Sequence, residues 1–180
     1  RLSTRGLDIG TASDRFGEPV VSMRDPSGLV MELIATDRDG RRPWIAQGVD
    51  NGAAIRGIHS VTMASRAATA TIEFMTGVLG FDVVDQAGDR TRLTINGDRP
   101  GHTFDVVDAH GHEPGVNGLG TVHHVAMAVA TRAEQLLMRE RLVGVGAMVT
   151  PVQDRQYFES IYFREPGGVL FEIATSEPGF

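Results

Sequence analysis

The chain is 180 residues long, with 41 % hydrophobic and 22 % charged residues, the balance of an ordinary globular protein that can bury a core without staples. Its net charge of −6 comes from scattered acidic residues, which argues against a nucleic-acid reader, because phosphate binding needs a basic stripe. There is no Cys, and all 17 basic residues are Arg, so disulfide frameworks, thiolate metal sites, Cys nucleophiles, Schiff-base lysines and P-loop lysines are excluded.

The expected elements run as follows. Residues 1–36 hold a short lead-in, a strand at VVSMRD, a turn at Asp25-Pro26-Ser27-Gly28 and a second strand at LVMELIAT. Residues 37–54 are a polar, Gly-rich linker. Residues 55–115 carry a strand at 58–65, a helix at 68–79 and strands at 81–86, 90–96 and 102–109. Residues 116–180 repeat that order. A strand at 122–130 is followed by a helix at 133–143, with Leu136, Leu137, Met138, Leu142 and Val143 as its apolar face, stopped by Gly144 and Gly146. A short strand at 147–152, a strand at 158–165, a Pro166-Gly167-Gly168 turn and a strand at 169–175 complete it. The segment 1–36 shows only the back part of such a unit, and the chain begins Arg1-Leu2-Ser3. The expectation is a piece of something longer, or a processed product. No apolar run reaches the roughly 20 residues of a membrane helix and no charged-then-apolar leader opens the chain, so the expected location is the cytoplasm.

Two internal repeats support this unit. Asp14, Arg15, Arg24, Pro26, Gly28 and Glu32 recur 140 positions later as Asp154, Arg155, Arg164, Pro166, Gly168 and Glu172, with Asp25 answered by Glu165. His59, Val61, Met63 and Ala64 recur 64 positions later as His123, Val125, Met127 and Ala128.

Alternation assigns the faces. In 122–130, the bulky set His123, Val125, Met127 and Val129 should pack on the helix. The small set His124, Ala126 and Ala128 should line a hollow. In 169–175, Glu172 shares a face with Leu170 and Ala174. If the first and last strands of the unit are neighbours, His124 and Glu172 meet, and an imidazole with a carboxylate is a good donor pair for a first-row metal. By the same logic His59 points toward its helix, Ser60 stands where His124 stands in the repeat, and Asp105 faces the hollow. Glu32, which repeats Glu172, is expected to be structural and paired with an Arg. Asp14/Asp154 and Arg15/Arg155 are expected in a turn or an ion pair.

These units resemble the βαβββ modules of the vicinal oxygen chelate superfamily, which includes glyoxalases, epimerases, resistance proteins and extradiol ring-cleaving dioxygenases. The likeness rests on H-V-A-M-A-V (124–129) and on Tyr162-x-x-Glu165-Pro166-x-Gly168-x-x-x-Glu172. The TVHHVA start and the DRxYFxSIYFREPGGVLFEIAT end are similar to glyoxalase-like ring-cleaving dioxygenases of the hydroquinone-resistance type. The resemblance implies an α+β fold of repeated βαβββ modules in curved mixed sheets. It divides the chain into the back of one module (1–36), a linker (37–54) and two complete modules (55–115 and 116–180).

It further implies a non-haem Fe(II) dioxygenase acting with O2 on a hydroquinone- or catechol-like aromatic. His124 and Glu172 are then metal ligands and Tyr162 an acid/base or hydrogen-bonding residue. Mn, Ni, Co or Zn are the alternative metals. The pattern also carries a His six to eight residues before Ile161-Tyr162, where this chain has Gln153, Asp154 and Arg155. Asp154 and Tyr157 are candidates for its role. A facial triad needs a further His, and module three offers Ser60 there, so the third ligand is assigned to an absent first module. A homodimer is the expected assembly, because unpaired strand edges seek partners.

Several readings stay open on the sequence. His123 could replace His124 as ligand, Glu172 could sit in a buried ion pair, and Tyr162 could be a core tyrosine. The function could be that of a glyoxalase- or epimerase-type lyase or isomerase, or of a metal-free small-molecule-binding module.

Overall fold

Two hairpin turns of the same construction organise the fold. A computed structural model of the chain describes residues 9–46 and 48–179, so the lead-in at residues 1–8 lies outside the described residues. Strands β1 (Ser13–Arg15), β2 (Glu18–Arg24) and β3 (Val30–Ile34) form a three-stranded sheet in the order β1-β2-β3. The turn from β2 to β3 is fastened by Asp25, whose Oδ1 accepts from the Ser27 and Leu29 amides at 2.8 and 2.9 Å, while Gly28 supplies a φ of +89°. Arg24 donates to the Gly28 carbonyl at 3.0 Å.

The second copy lies between β10 (Glu159–Arg164) and β11 (Leu170–Thr175). Here Glu165 accepts from the Val169 and Gly167 amides, both at 2.8 Å, Gly168 takes φ +91°, and Arg164 reaches the Gly168 carbonyl at 2.6 Å. Three of the recurring positions, Arg24/Arg164, Asp25/Glu165 and Gly28/Gly168, are therefore hairpin hardware. Asp14/Asp154 is another turn position: each accepts a backbone N–H in a tight turn, from Gly17 at 2.9 Å and from Gln156 at 2.7 Å.

The second turn does one thing more. Glu165 Oε2 accepts the Thr71 hydroxyl at 2.6 Å, and Thr71 Oγ1 lies 2.9 Å from Ser65 Oγ. These three side chains are buried and their oxygens satisfy one another. A Cβ on Gly167 would collide with Ser65 Oγ and stand 2.8 Å from Glu165 Oε1 and 3.0 Å from Thr71 Oγ1. In the first copy this place is held by Ser27, which is exposed. Gly167→Ala is therefore expected to destabilise by about 1–3 kcal/mol, the range for overpacking, and to lower the urea midpoint. Ser27→Ala should leave it alone. Equal midpoints for the two variants would contradict this account.

Strands β4 (Ser60–Ser65), β5 (Asp82–Ala87), β6 (Arg90–Thr94) and β7 (Thr103–Asp108) form a sheet in the order β4-β7-β6-β5. The helix expected at 68–79 is found as α1 (Ala68–Phe74) continued by a π-helical turn over Met75–Leu79. The Thr76 hydroxyl donates to the Ile72 carbonyl at 2.9 Å, which loads the helical ladder there. Gly80 at φ +85° ends the turn. Strand β8 (Val125–Val129) and β9 (Gln153–Asp154) join β10 and β11 in the order β8-β11-β10-β9, with β8 and β11 parallel.

Helix α2 (Arg132–Gly144) starts at a capping box, in which Thr131 accepts the Glu134 amide and Glu134 accepts the Thr131 amide. Gln135 and Leu142 are buried and Met138 and Arg139 half-buried, an i, i+3, i+4, i+7 stripe. Leu136, Leu137 and Val143, expected in its apolar face, are exposed. The reason is Gln135, whose amide donates to the Glu159 and Ile173 carbonyls at 2.7 and 2.9 Å and so turns a polar residue inward.

The strand expected at 147–152 does not form. Thr150 instead meets Tyr162 through both its amide and its hydroxyl, at 3.0 Å each. The short pairing with β10 comes later, at Gln153 and Asp154.

The chain divides into two compact units. One comprises residues 1–62, 83–105 and 116–121, the other residues 63–82, 106–115 and 122–180. No described helix is long and apolar enough to cross a membrane.

Candidate active site

In the second unit, Phe163, Phe171, Ile161 and Ile173 are buried on one face of the β8-β11-β10-β9 sheet. Period-two alternation sends Ser160, Tyr162 and Glu172 to the other face. The strand register places Tyr162 opposite Glu172 across one ladder and Ala126 opposite Glu172 across the other. Ala126 and Ala128 are exposed, and as the small residues of that face they leave room above it.

His124 precedes β8 by one residue and turns its Nε2 to within 2.7 Å of Glu172 Oε2. The Glu172 side chain is 4 % exposed and that of His124 34 %, so the carboxylate sits at the floor and the imidazole at the rim. Ser160 donates its hydroxyl to Glu172 Oε1, which leaves Oε2 to face His124. The His124 and Tyr162 rings meet edge to face at 5.8 Å. His123 is exposed, with its Nδ1 2.9 Å from His124 Nδ1. Arg155 lies over the Tyr162 ring at 5.4 Å and donates to its oxygen at 3.3 Å.

One imidazole and one buried carboxylate with no guanidinium upon it fit a divalent metal in donor chemistry. They are two donors where a facial site takes about three from protein. Among the described residues no group of three or more His, Asp or Glu side chains converges to hold an ion.

The first unit uses the matching positions differently. Glu32, the counterpart of Glu172, is gripped by both guanidinium nitrogens of Arg15, at 2.5 and 2.6 Å. The hydrogen bonds from Arg15 outweigh burial and hold the Glu32 carboxyl below its ordinary range. Beside this pair Arg92 donates to Asp105 at 2.8 and 3.1 Å and to Glu18 at 3.0 Å, and Arg90 adds a bond to Asp105 at 3.1 Å.

Arg38 donates to the other Glu18 oxygen at 2.7 Å, and His59 Nε2 lies 3.2 Å from it. Burial opposes ionisation of Glu18. The hydrogen bonds from Arg38 and Arg92, with the charge of His59, overcome it and bring its carboxyl down to about 2 from 4.5. The stability this carboxylate contributes is therefore complete above pH 4.5 and lost as pH falls toward 2. It amounts to about 3 kcal/mol at about 1.4 kcal/mol per pKa unit. Glu18→Gln should be less stable than the native chain at pH 7, and the gap in urea midpoint should close between pH 5 and pH 2.5. A gap independent of pH would contradict the assignment.

The structure thus brings together the three residues singled out from the sequence, His124, Glu172 and Tyr162. Glu32 has its Arg, but Asp105, expected to face the hollow, is instead fully buried in the ion cluster, held there by the Arg92 and Arg90 guanidiniums. His59 differs: it reaches Glu18 rather than packing on its helix. The buried Glu18 carboxylate, 3.2 Å from its Nε2, draws it there. Ser160 was missed, although it stands two residues before Tyr162 on the same strand and period two alone puts it on the site face. The contact of Arg155 with Tyr162 left no trace in the periodicity, because residue 155 follows β9 in a turn.

The model of the Glyoxalase/Bleomycin resistance protein/Dioxygenase superfamily matches residues 57–173. The chain belongs to this superfamily. Among curated members, it is 37 % identical over 171 residues to a Bacillus subtilis protein provisionally named ring-cleaving dioxygenase MhqO, covering 94 % of this chain and 54 % of that one. It is 32 % identical over 182 residues to the chlorohydroquinone/hydroquinone 1,2-dioxygenase of Sphingobium indicum, covering 97 % of this chain and 56 % of that one. The crystal structure of a Bacillus subtilis protein provisionally named a dioxygenase superposes with a TM-score of 0.91 at 35 % identity, covering 99 % of this chain and 56 % of that one. The chain spans little more than half the length of these relatives. The α+β fold with its mixed and antiparallel sheets is that of the superfamily.

Proposed function

We propose that the chain is part of a non-haem Fe(II)-dependent ring-cleaving dioxygenase acting on a hydroquinone- or catechol-like aromatic. The observation that carries this reading is the approach of His124 Nε2 to Glu172 Oε2 at 2.7 Å, in a chain 32 % identical to a chlorohydroquinone/hydroquinone dioxygenase.

Fe(II) bound by His124 and Glu172 would supply open positions at which a substrate oxygen and O2 meet. The chain's own residues do the rest. Glu172 brings the negative charge, and Ser160 fixes its far oxygen so that the near one is presented. His124 offers Nε2. Tyr162 accepts from Arg155 at 3.3 Å, so its own O–H is available to donate to a substrate oxygen. Ala126 and Ala128 leave the ring its space. A metal with similar ligand preferences, Mn, Ni, Co or Zn, would take the same donors.

The modules of residues 1–36, 55–115 and 116–180, joined by the linker 37–54, are the frame of this reading. The third ligand comes from a module outside this chain. The protein works in the cytoplasm as a homodimer, on a small molecule and without nucleic acid or membrane. The test is anaerobic reconstitution with Fe(II) followed by O2 uptake with methylhydroquinone or catechol. Uptake by the whole protein that vanishes in His124→Ala supports it. Turnover of a hemithioacetal without O2, or stoichiometric ligand binding without metal, would replace it.

A further inference from the structure

Every asparagine of the chain, Asn51, Asn96 and Asn117, is followed by a glycine. Glycine has no Cβ to shield its own amide nitrogen or to restrict the rotation that brings that nitrogen onto the preceding carboxamide. Each pair therefore places a nucleophile beside an electrophile, and the surroundings decide which pair reaches a reactive geometry.

Two of the pairs are held back. The Gly118 amide donates to the Thr121 hydroxyl at 2.9 Å, and that hydroxyl donates to the Gly118 carbonyl at 2.7 Å, so the nitrogen after Asn117 is tied. Asn96 takes φ +56° and Gly97 φ +100° in the loop from β6 to β7. Backbone bonds hold that loop closed: the Ile95 amide to the His102 carbonyl and the His102 amide to the Arg99 carbonyl, each at 3.0 Å, and the Arg99 amide to the Gly97 carbonyl at 3.1 Å. Closing a ring between Asn96 and Gly97 requires the loop to open.

Asn51 is placed differently. It is exposed, in a turn of the linker. The turn is closed by the Ala53 amide, which donates to the Asp50 carbonyl at 3.2 Å and to Asp50 Oδ1 at 3.1 Å. Those bonds skip Gly52, whose amide meets no acceptor among the described residues. Arg56 donates to Asn51 Oδ1 at 3.4 Å and is anchored by a second bond, at 2.6 Å, to the Arg41 carbonyl. A guanidinium carries donors only, so it faces the carboxamide oxygen and not its nitrogen. Negative charge develops on that oxygen when a nucleophile adds to Cγ, and a cation beside it lowers the barrier.

We propose that Asn51 is a site of spontaneous deamidation, with the Gly52 amide nitrogen as nucleophile and Arg56 polarising the carboxamide. The Gly52 nitrogen bonds to Asn51 Cγ, the Cγ–Nδ2 bond breaks, and Nδ2 leaves as ammonia with the proton that Gly52 gives up. Water then opens the cyclic imide at either carbonyl, leaving aspartate or isoaspartate. Nothing is oxidised or reduced, and no metal takes part. Either product adds a negative charge beside Arg56. Isoaspartate also lengthens the backbone close to Ile55, whose carbonyl accepts the Trp44 amide at 2.9 Å.

The experiment holds the full native chain, Gly52→Ala, Arg56→Gln and Arg56→Lys at pH 8 and samples them over days. Peptide mass mapping reads conversion at each asparagine as a gain of about 1 Da, and enzymatic methylation of isoaspartate counts that isomer. In the native chain Asn51 should convert about tenfold or more faster than Asn96 and Asn117. Gly52→Ala should slow Asn51 by about tenfold or more, since the added Cβ hinders the approach of the nitrogen. That Cβ has room, its nearest neighbour being Asp50 Oδ1 at 3.5 Å, so the urea midpoint should hold. Arg56→Gln should slow Asn51 by about threefold, the worth of a long, exposed hydrogen bond, and Arg56→Lys by less, because the charge is kept. In urea the three asparagines should convert at similar rates, since what separates them is gone. Conversion of Asn96 or Asn117 in the native chain as fast as Asn51, or a rate at Asn51 that neither Gly52→Ala nor Arg56→Gln lowers, overturns the proposal.

Discussion

Arg92→Ala should be about 3–5 kcal/mol less stable than the native chain, the cost of breaking a buried ion pair by removing one partner. The Arg92 side chain is 4 % exposed, with Asp105 at 0 % and Glu18 at 6 %. Three of its hydrogen bonds hold those two carboxylates, and the guanidinium lies 4.5 Å over the Phe16 ring. Without it, two negative charges remain inside the first unit, with Arg90, Arg38 and His59 as their remaining side-chain partners among the described residues. The comparison that separates charge from packing is Arg92→Met with Asp105→Leu. Removing both partners should recover part of the loss, because the penalty lies in the orphaned charge. Urea denaturation at pH 7 reads both. A loss below 1 kcal/mol in Arg92→Ala would show that water reaches the cluster.

Glu172→Ala should behave in the opposite way. Its carboxylate is as buried as those around Arg92, yet among the described residues it is held only by His124 and one serine hydroxyl. Burial of a charge so thinly supported costs stability, and its removal leaves His124 at the rim, where water can satisfy it. The expectation is little or no loss in urea midpoint together with loss of metal binding by about 100-fold or more, since half of the donor pair is gone. Co(II) titration of the native chain, Glu172→Ala and Glu172→Gln measures the second effect. Undiminished stoichiometric metal in Glu172→Ala would end the case for this site.

The contrast explains what could be read from the residues alone. His124 and Glu172 were legible because strand alternation and a repeat both spoke about them, and parallel pairing of the first and last strands of the module was enough to join them. Asp14, Asp154 and the two Pro- and Gly-containing hairpin turns read as turn chemistry and lie in turns, and Arg15 has its ion pair with Glu32, whereas Arg155 pairs with no carboxylate among the described residues and meets Tyr162 instead. The cluster of Glu18, Arg92, Asp105 and Arg38 was not legible. Its members come from different strands and a linker, and no period or motif links an Arg on β6 to a Glu on β2. The buried stripe of α2 was misjudged for a related reason: one glutamine with two backbone carbonyls to serve outweighs the pull of Leu136 and Leu137 that follow it. The loop at 147–152 has strand composition, but its hydrogen bonds go to Tyr162 through a threonine rather than into a ladder.

The acidic residue in the run from Tyr162 to Glu172 fastens a hairpin and, through Thr71, a neighbouring helix. Selection for folding alone is enough to keep it. A descendant that had abandoned Glu172, and every reaction with it, would still be obliged to retain Glu165 and the bare glycine at 167. The bend of the chain is thus common to both copies, while the carboxylate that follows it is answered differently, Glu32 by an arginine in the first and Glu172 by an imidazole in the second.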